Sequence, residues 1–497
     1  MRRRADQSAA AREAVARGRR SAWLLIAVAA GVFIAADDQT SVVTVLPALI
    51  SDVGLTVDEL YLASWVVNGY LLGYIVALPI VGRVADAYGH GRVYAAALVV
   101  FMLGSALVAA APGFQWLVAA RALQAVGGGA VVPVAMAIVV GELPPGRRAL
   151  GLGAIAAASE AGALIGPLWG GAITELIGWR WLFWLNLPLA LPVLAVVWRL
   201  AGRERARARV DWLSAAVLAA ALTALTVAVA DNPIAPRAWW LTALLLAAAA
   251  GLAAAFFVRQ RRTPQPLVRL AMFARRPVWA AVLASLLVGG GLITALVSVP
   301  LFVNLVLLER PIEGGLTLLR LTVAVPVGAL AGGWLVGRIG PRTPALAGMW
   351  LAAAGFAGLL AWDAALTEAW RTLPQLAAGF GFGLVIAPLG AAVLASVRED
   401  ERATAASWLT LARVVGMLLG TGLLTSNGLG RFYARAGGIE FGSAEFEALV
   451  TEAQVSTFHE VWAAAAAAMF LAGLVAWLLG RRAEAAGPGG QRWWTAR

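Results

Sequence analysis

Gly82-Arg-Val-Ala-Asp86-Ala-Tyr-Gly89-His-Gly-Arg92 joins two long apolar runs, and Gly333-Trp-Leu-Val-Gly337-Arg-Ile-Gly340-Pro-Arg342 repeats its outline far down the chain. Both stretches place a glycine, an apolar pair and a turn glycine at matching spacing. A closing arginine follows in each, one residue nearer in the second copy. An internal echo over this distance means that the chain is built twice from one plan. Two halves repeated in parallel are the architecture that such an echo predicts.

The residues around the two loops agree with a membrane setting. Hydrophobic residues make up 61% of the 497 and charged residues only 13%, against about 25% charged in soluble globular chains. Apolar segments fall at about 22–50, 62–82, 93–111, 115–140, 150–174, 180–200, 212–231, 238–258, 279–307, 315–337, 344–362, 372–395, 403–427 and 461–480. Most are near the roughly 20 residues that a helix needs to cross a bilayer. Lipid offers the backbone no hydrogen-bond partners, so spans are helices or a closed barrel. Long runs of Ala, Leu, Val and Gly fit helices; barrel strands alternate over about 10 residues. The expected fold is an all-α polytopic membrane protein with about 14 spans.

Several functions lack their materials. Cysteine is absent and the two histidines, His90 and His459, lie far apart, which leaves no thiolate site and little for a metal centre. The 39 basic residues are all arginine, so no Walker A lysine exists to grip a nucleotide. The sequence predicts no enzyme, no metal and no cofactor. The net charge of +12 reflects topology and anionic-lipid contact rather than nucleic acid.

Arginine recurs in alternate loops: Arg83 and Arg92, Arg147 and Arg148, Arg203 to Arg209, Arg259 to Arg276, and Arg338 and Arg342. Both ends are basic, while Asp52, Asp58, Glu59, Asp231, Asp363 and the stretch Glu440 to Glu460 lie on the intervening loops. This bias puts both termini in the cytoplasm. The expected organisation is a basic tail at 1–21, a six-helix half at 22–200, and a linker with two extra spans at 201–278. A second six-helix half follows at 279–480, with an extracytoplasmic loop at 429–460, and then a cytoplasmic tail at 481–497.

Four segments carry a family likeness. They are Asp38-Gln-Thr40 running to Leu46-Pro47; the loop residues Gly82, Asp86, Gly89 and Arg92; Arg121-Ala-Leu-Gln124-Ala-Val-Gly127; and Gly153, Gly162, Gly166-Pro167 and Gly170-Gly171. In this order the chain resembles the 14-span drug:proton antiporter branch of the major facilitator superfamily over nearly its whole length. It departs at Val43, Ala87, His90 and Ala125. Glu160, Leu384-Val-Ile-Ala-Pro388 and Ala412-Arg413-Val-Val-Gly416 are also similar to mycobacterial exporters that work with a lipoprotein and move triacylglycerides and drugs. The outward hairpin of those proteins, in the second half, is much reduced here.

The resemblance implies bacterial cytoplasmic-membrane export of lipophilic, drug-like compounds by proton antiport with alternating access. The alternative is export of triacylglyceride or another lipid to the envelope with a lipoprotein partner; in either case the chain is expected to be a monomer. Ionisable groups inside the bilayer mark the coupling sites. Burial raises a carboxyl pKa and a nearby arginine lowers it, so Asp38 and Glu160 are the expected proton carriers. Arg121 and Arg413 are their expected cationic counterparts. Gly82, Asp86, Gly89 and Arg92 form the expected gate, with Asp86 capping a neighbouring helix. Gly153, Gly162, Gly166, Pro167, Gly170 and Gly171 form the antiporter motif. Arg320 is expected near headgroups, and Trp179 and Trp181 are expected as interfacial anchors.

Overall fold

The computed structural model describes residues 2–52, 64–201, 210–229, 238–264, 266–309, 311–363, 367–423 and 446–480. Fourteen long helices follow one another: α1 (Arg2–Asp52), α2 (Ser64–Tyr88), α3 (His90–Ala109), α4 (Phe114–Glu142), α5 (Pro145–Ile177), α6 (Trp179–Leu200) and α7 (Trp212–Val229). Then come α8 (Trp239–Arg262), α9 (Arg276–Leu305), α10 (Pro311–Ile339), α11 (Arg342–Leu359), α12 (Glu368–Ser396), α13 (Arg402–Leu423) and α14 (Phe446–Ala476). Alanine and leucine, the strongest helix formers, fill these segments. Proline begins α5, where its missing N–H costs nothing.

Among the described residues, twelve helices are long and apolar enough to cross a membrane. The apolar stretch Trp212–Ala228 of α7 is shorter, and α11 is an 18-residue helix packed against α12 and α14. The all-helical architecture therefore holds, with about fourteen spans as an approximate count.

Two segments outside the expected spans are wholly or partly helical. The tail at 1–21 is helical from Arg2 onward, because its alanines and arginines carry high helix propensity into the first span. The loop at 429–460 becomes helix from Phe446. Its glutamates lower the hydropathy of 446–460 without interrupting the helix. Residues 429–445, the tail at 481–497, Arg203 to Arg209, Asp58, Glu59 and Asp231 lie outside the described residues.

Helices α1 to α6 pack mainly among themselves through α1–α5, α2–α4, α3–α4 and α3–α6. Helices α9 to α14 do the same through α10–α12, α11–α12, α9–α13 and α11–α14. Two seams join the groups, α5 against α10 and α2 against α13. The echoed loops explain these seams. A Cβ on Gly82 would lie 2.8 Å from the Ala403 carbonyl oxygen of α13, and one on Gly333 would lie 2.7 Å from the Ala149 carbonyl oxygen of α5. Each copy's first glycine lets its helix touch the opposite half. The turn glycines match as well: Gly89 has φ 98° and Gly340 has φ 82°, a region that side chains rarely adopt.

The α7–α8 hairpin lies against α2 and touches α13. Asp211 holds its base: Ser214 Oγ donates to Asp211 Oδ2 at 2.6 Å and Arg259 Nη2 to Oδ1 at 3.1 Å. Gln260 Nε2 donates to Ser214 Oγ at 2.8 Å while its Oε1 accepts from Val268 N at 3.0 Å. The chain leaving the hairpin then reaches the second half, where Arg269 pairs with Asp400 and Glu401 at 3.2 and 3.3 Å.

Candidate functional site

Asp38 lies inside α1 with no exposed side-chain surface. An ionised carboxylate there requires a full set of donors, and two helices provide three of them. Arg121 Nη1 of α4 donates to Asp38 Oδ2 at 2.9 Å, Gln124 Nε2 donates to Oδ1 at 2.9 Å, and Asn186 Nδ2 of α6 donates to Oδ1 at 2.6 Å. Arg121 and Gln124 are one turn apart on α4, so both meet the same carboxylate. Ser105 of α3 accepts from Gln124 Nε2 at 2.7 Å and from Asn186 Nδ2 at 3.1 Å, which orients both amides. The Arg121 guanidinium carbon lies 4.3 Å from the Tyr70 ring centre, within range of a cation–π contact.

Glu160 and Arg413 form a second pair, and this one crosses between the halves. Arg413 Nη1 of α13 donates to Glu160 Oε1 of α5 at 3.1 Å. Their side chains keep 15% (Glu160) and 18% (Arg413) exposure, so this pair is reachable by water where the Asp38 pair is not. Both line a cavity of about 40 Å³ whose other walls are mainly apolar, including Val132, Met136, Ile155, Val288 and Leu389. That volume holds only a few waters. The space around the charged pair is therefore small.

At the end of the bundle where α2 meets α3, Asp86 caps α13. Its Oδ1 accepts from Ala403 N at 2.9 Å, and its Oδ2 accepts from Thr404 N at 2.9 Å and Thr404 Oγ1 at 2.6 Å. The helix N-terminus supplies unsatisfied N–H groups and positive dipole, both complementary to a carboxylate. His90 Nε2 lies 3.1 Å from Asp86 Oδ1, so the residue that departs from the family pattern joins the clamp. Arg92 lies half-buried in the first turn of α3. Beside the clamp opens a larger polar cavity of about 600 Å³.

Gly153 faces Gly333 across the α5–α10 seam, where an added Cβ would come within 3.0 Å of the Gly333 Cα. Gly162 and Gly166 instead face α1, where Cβ atoms would lie 3.0 Å from Asp37 N and 2.6 Å from Asp37 O. Pro167, Gly170 and Gly171 continue α5 beyond them, and Gly171 borders open space. Arg320 donates to Thr372 Oγ1 at 2.8 Å, which ties α10 to α12.

Sequence reasoning placed Asp38, Glu160, Arg121 and Arg413 inside the membrane. It missed Asn186, Ser105 and Tyr70. Asn186 had a signal, as the lone amide in the apolar run of α6; Ser105 and Tyr70 had none. Trp179 is buried, and its Nε1 donates to Asp52 Oδ2 at 3.2 Å, the carboxylate that Arg180 also pairs with. Trp181 is exposed.

Known proteins match this arrangement. The Major Facilitator Superfamily profile matches residues 28–421. A triacylglyceride transporter of Mycolicibacterium smegmatis is 34% identical over 485 residues, covering 92% of this chain and 86% of its own length. One from Mycolicibacterium hassiacum is 36% identical over 426 residues, covering 82% and 80%. One from Mycobacterium tuberculosis is 34% identical over 431 residues, covering 82% and 83%. Among solved structures, the human organic anion transporter TETRAN aligns with TM-score 0.62 at 16% identity, covering 92% of this chain and 99% of that one. The proton:xylose symporter XylE aligns with TM-score 0.62 at 14% identity, covering 94% and 97%; these two show the fold alone. With its two seam-joined helix groups, its membrane-length helices and its relatives' names all agreeing, this multi-pass membrane chain belongs to the major facilitator superfamily and is a transporter.

Proposed function

We propose that the chain exports a neutral, long-chain lipid of the triacylglyceride class from the bilayer toward the envelope in exchange for protons. The observation that carries this reading is the Glu160–Arg413 pair, which ties the two halves together at 3.1 Å inside a mainly apolar cavity. A proton on Glu160 removes its charge and dissolves the pair, so α5 and α13 separate. Deprotonation re-forms it. The apolar walls suit a cargo without charge, and the triacylglyceride transporters among the relatives favour lipid over the drug-like cargo that the motifs alone suggest. Asp38, held by Arg121, Gln124 and Asn186, is the second carboxyl of the cycle and the fixed point about which α1, α4 and α6 move together.

The Asp86 cap closes the gate from the end whose loops carry Arg83, Arg92, Arg147 and Arg148, the cytoplasmic end under the positive-inside rule. Both termini are then cytoplasmic, the chain acts as a monomer in the cytoplasmic membrane, and an envelope lipoprotein receives the lipid outside. The reading is tested by reconstituting the chain in vesicles with a fluorescent triacylglyceride and imposing a pH gradient. Transfer should accelerate when protons flow opposite to lipid, and Glu160→Gln should abolish that acceleration. Gradient-driven movement of a lipophilic drug with no movement of lipid overturns the cargo; lipid movement indifferent to the gradient overturns the coupling.

A further inference from the structure

Two neighbouring carboxylates on α1 receive opposite treatment. Asp38 collects donors from α4 and α6. Asp37, about 100° around the helix, receives none from the described residues, although only 7% of it is exposed and its Oδ1 is buried without a partner. The reason is visible on the facing helix. At this level α5 presents Gly162 and Gly166, so close that a Cβ on Gly162 would lie 3.0 Å from Asp37 N and 3.1 Å from Ala36 Cβ. A glycine surface packed this tightly brings no side-chain donor and leaves little room for one to reach in. Thr40, the nearest hydroxyl along α1, points its Oγ1 at the carbonyls of Ala36 and Asp37.

Among the described residues, no cation is placed to offset a charge on Asp37. Of the groups on the elements packed against α1, Arg121 of α4 pairs with Asp38, and Glu160 of α5 pairs with Arg413. The other charged groups of α5, namely Arg147, Arg148 and Glu175, stand 13 to 15 residues from Gly162, roughly 20 Å along the axis. Arg180 and Arg199 sit at the two ends of α6, and Arg83 and Asp86 in the last turns of α2. Among the described residues the one close charge is Asp38 itself, of the same sign. A buried carboxylate with neither donor nor counter-ion takes up a proton rather than remain charged.

We infer that Asp37 is a further proton-carrying group: it holds a proton in the state shown and gives it up when water enters the α1–α5 contact at Gly162 and Gly166. Asp38 is kept ionised by its donors, so the adjacent pair holds one proton and one charge, and movement of α1 against α5 exchanges the proton with water. The part Asp37 plays in transport rests on the proton-coupled reading above; its protonation does not. Each cargo exported then moves one proton more than it would without Asp37.

Infrared spectroscopy of the full chain in detergent at neutral pH, with aspartate carboxyls carbon-13 labelled, tests the inference directly. A protonated-aspartate carbonyl band should be present in the unmutated protein, absent in Asp37→Asn, and retained in Asp37→Glu only at the unlabelled glutamate position. It should survive Glu160→Gln. Absence of the band from the unmutated protein, or its persistence in Asp37→Asn, overturns the assignment, and the first of these needs no variant to fold. In vesicles, Asp37→Asn should lower the proton-to-cargo ratio by one. An unchanged ratio overturns the transport role, whereas absence of coupling in the unmutated protein counts against the proposed function and leaves the infrared result standing.

Discussion

Asp38 Oδ2 and Arg121 Nη1 lie 2.9 Å apart with neither side chain exposed, an ion pair sealed inside one half of the molecule. Removing one member of such a pair leaves the other as an uncompensated buried charge, which costs about 3–5 kcal/mol. Asp38→Asn and Arg121→Gln should each lower the unfolding temperature in detergent markedly. The double variant should lose much less than the sum, because no charge is then left alone. Additive losses would show that the pair does not act as a unit. Transport should be lost in all three, because Gln124 and Asn186 are oriented by the same carboxylate.

The Glu160–Arg413 pair should behave differently. Its members are partly open to the cavity, and partly solvated pairs contribute about 0–1 kcal/mol. Glu160→Gln should therefore leave thermal stability within about 1 kcal/mol of the parent while removing the response to a pH gradient. Exchanging the partners, Glu160→Arg with Arg413→Glu, should restore the inter-half tie but not full coupling, since the carboxyl then sits on the other wall. A large stability loss in Glu160→Gln would make the pair a structural lock rather than a coupling element.

These two pairs also mark what the sequence could disclose. The charges themselves were legible, because a lone Asp38 or Glu160 in an apolar run stands out against the cost of burying it. So were Arg121 and Arg413 as their counterparts, but not which arginine meets which carboxylate: Arg413 reaches Glu160 across 253 positions, and no spacing encodes a contact between halves. Gly82 and Gly333 were readable as an echo, but their use as matched contact points on opposite seams emerges only when α2 meets α13 and α10 meets α5. Asn186 was obscured by the tryptophans around it, and Ser105 is too common a residue type to single out. The fold followed from composition and repetition, whereas the polar cluster depends on four helices converging.

The seam glycines predict a change of state. An alanine at Gly333 places its Cβ 2.7 Å from the Ala149 carbonyl oxygen and 2.9 Å from the Gly153 Cα, both backbone atoms that cannot swing aside. Gly333→Ala should push α10 off α5 and favour the conformation open at the gate end. The chain contains no cysteine, so single cysteines introduced into the 600 Å³ cavity beside Asp86 report opening by their labelling rate, which should rise. An unchanged rate would mean that the seam does not part at Gly333.

Asp86 offers a graded version of the same test. It accepts three hydrogen bonds at the start of α13, and loss of a helix cap costs about 0.5–2 kcal/mol. Because 1.4 kcal/mol is a factor of 10, Asp86→Ala should raise the open population by roughly 2- to 30-fold. Asp86→Asn, which keeps an acceptor but not the charge, should fall between. Equal labelling in Asp86→Ala and the parent would remove the cap from the gate.

Acid should loosen the linker hairpin before the core. Burial pushes the Asp211 carboxyl up, but hydrogen bonds from Ser214 and Arg259, together with the Arg259 charge, outweigh it and hold the group below its ordinary value of 3.8. A carboxyl lowered on folding stabilises the folded state above its unfolded pKa and ceases to do so as pH falls through the folded one. The clamp between α7 and α8 is therefore intact at neutral pH and is lost only below pH ~3.8. Asp211→Asn should remove that acid-side loss and leave the variant weaker than the parent only above it. Hydrogen exchange at Ser214 and Val268, read from pH 6 down to pH 3, distinguishes the two. Exchange that is pH-independent in the parent, after correction for intrinsic rates, would show that Asp211 does not hold the hairpin base. Exchange that rises only in the parent ties the linker's anchorage, and through Arg269 its grip on the start of α13, to a single carboxylate.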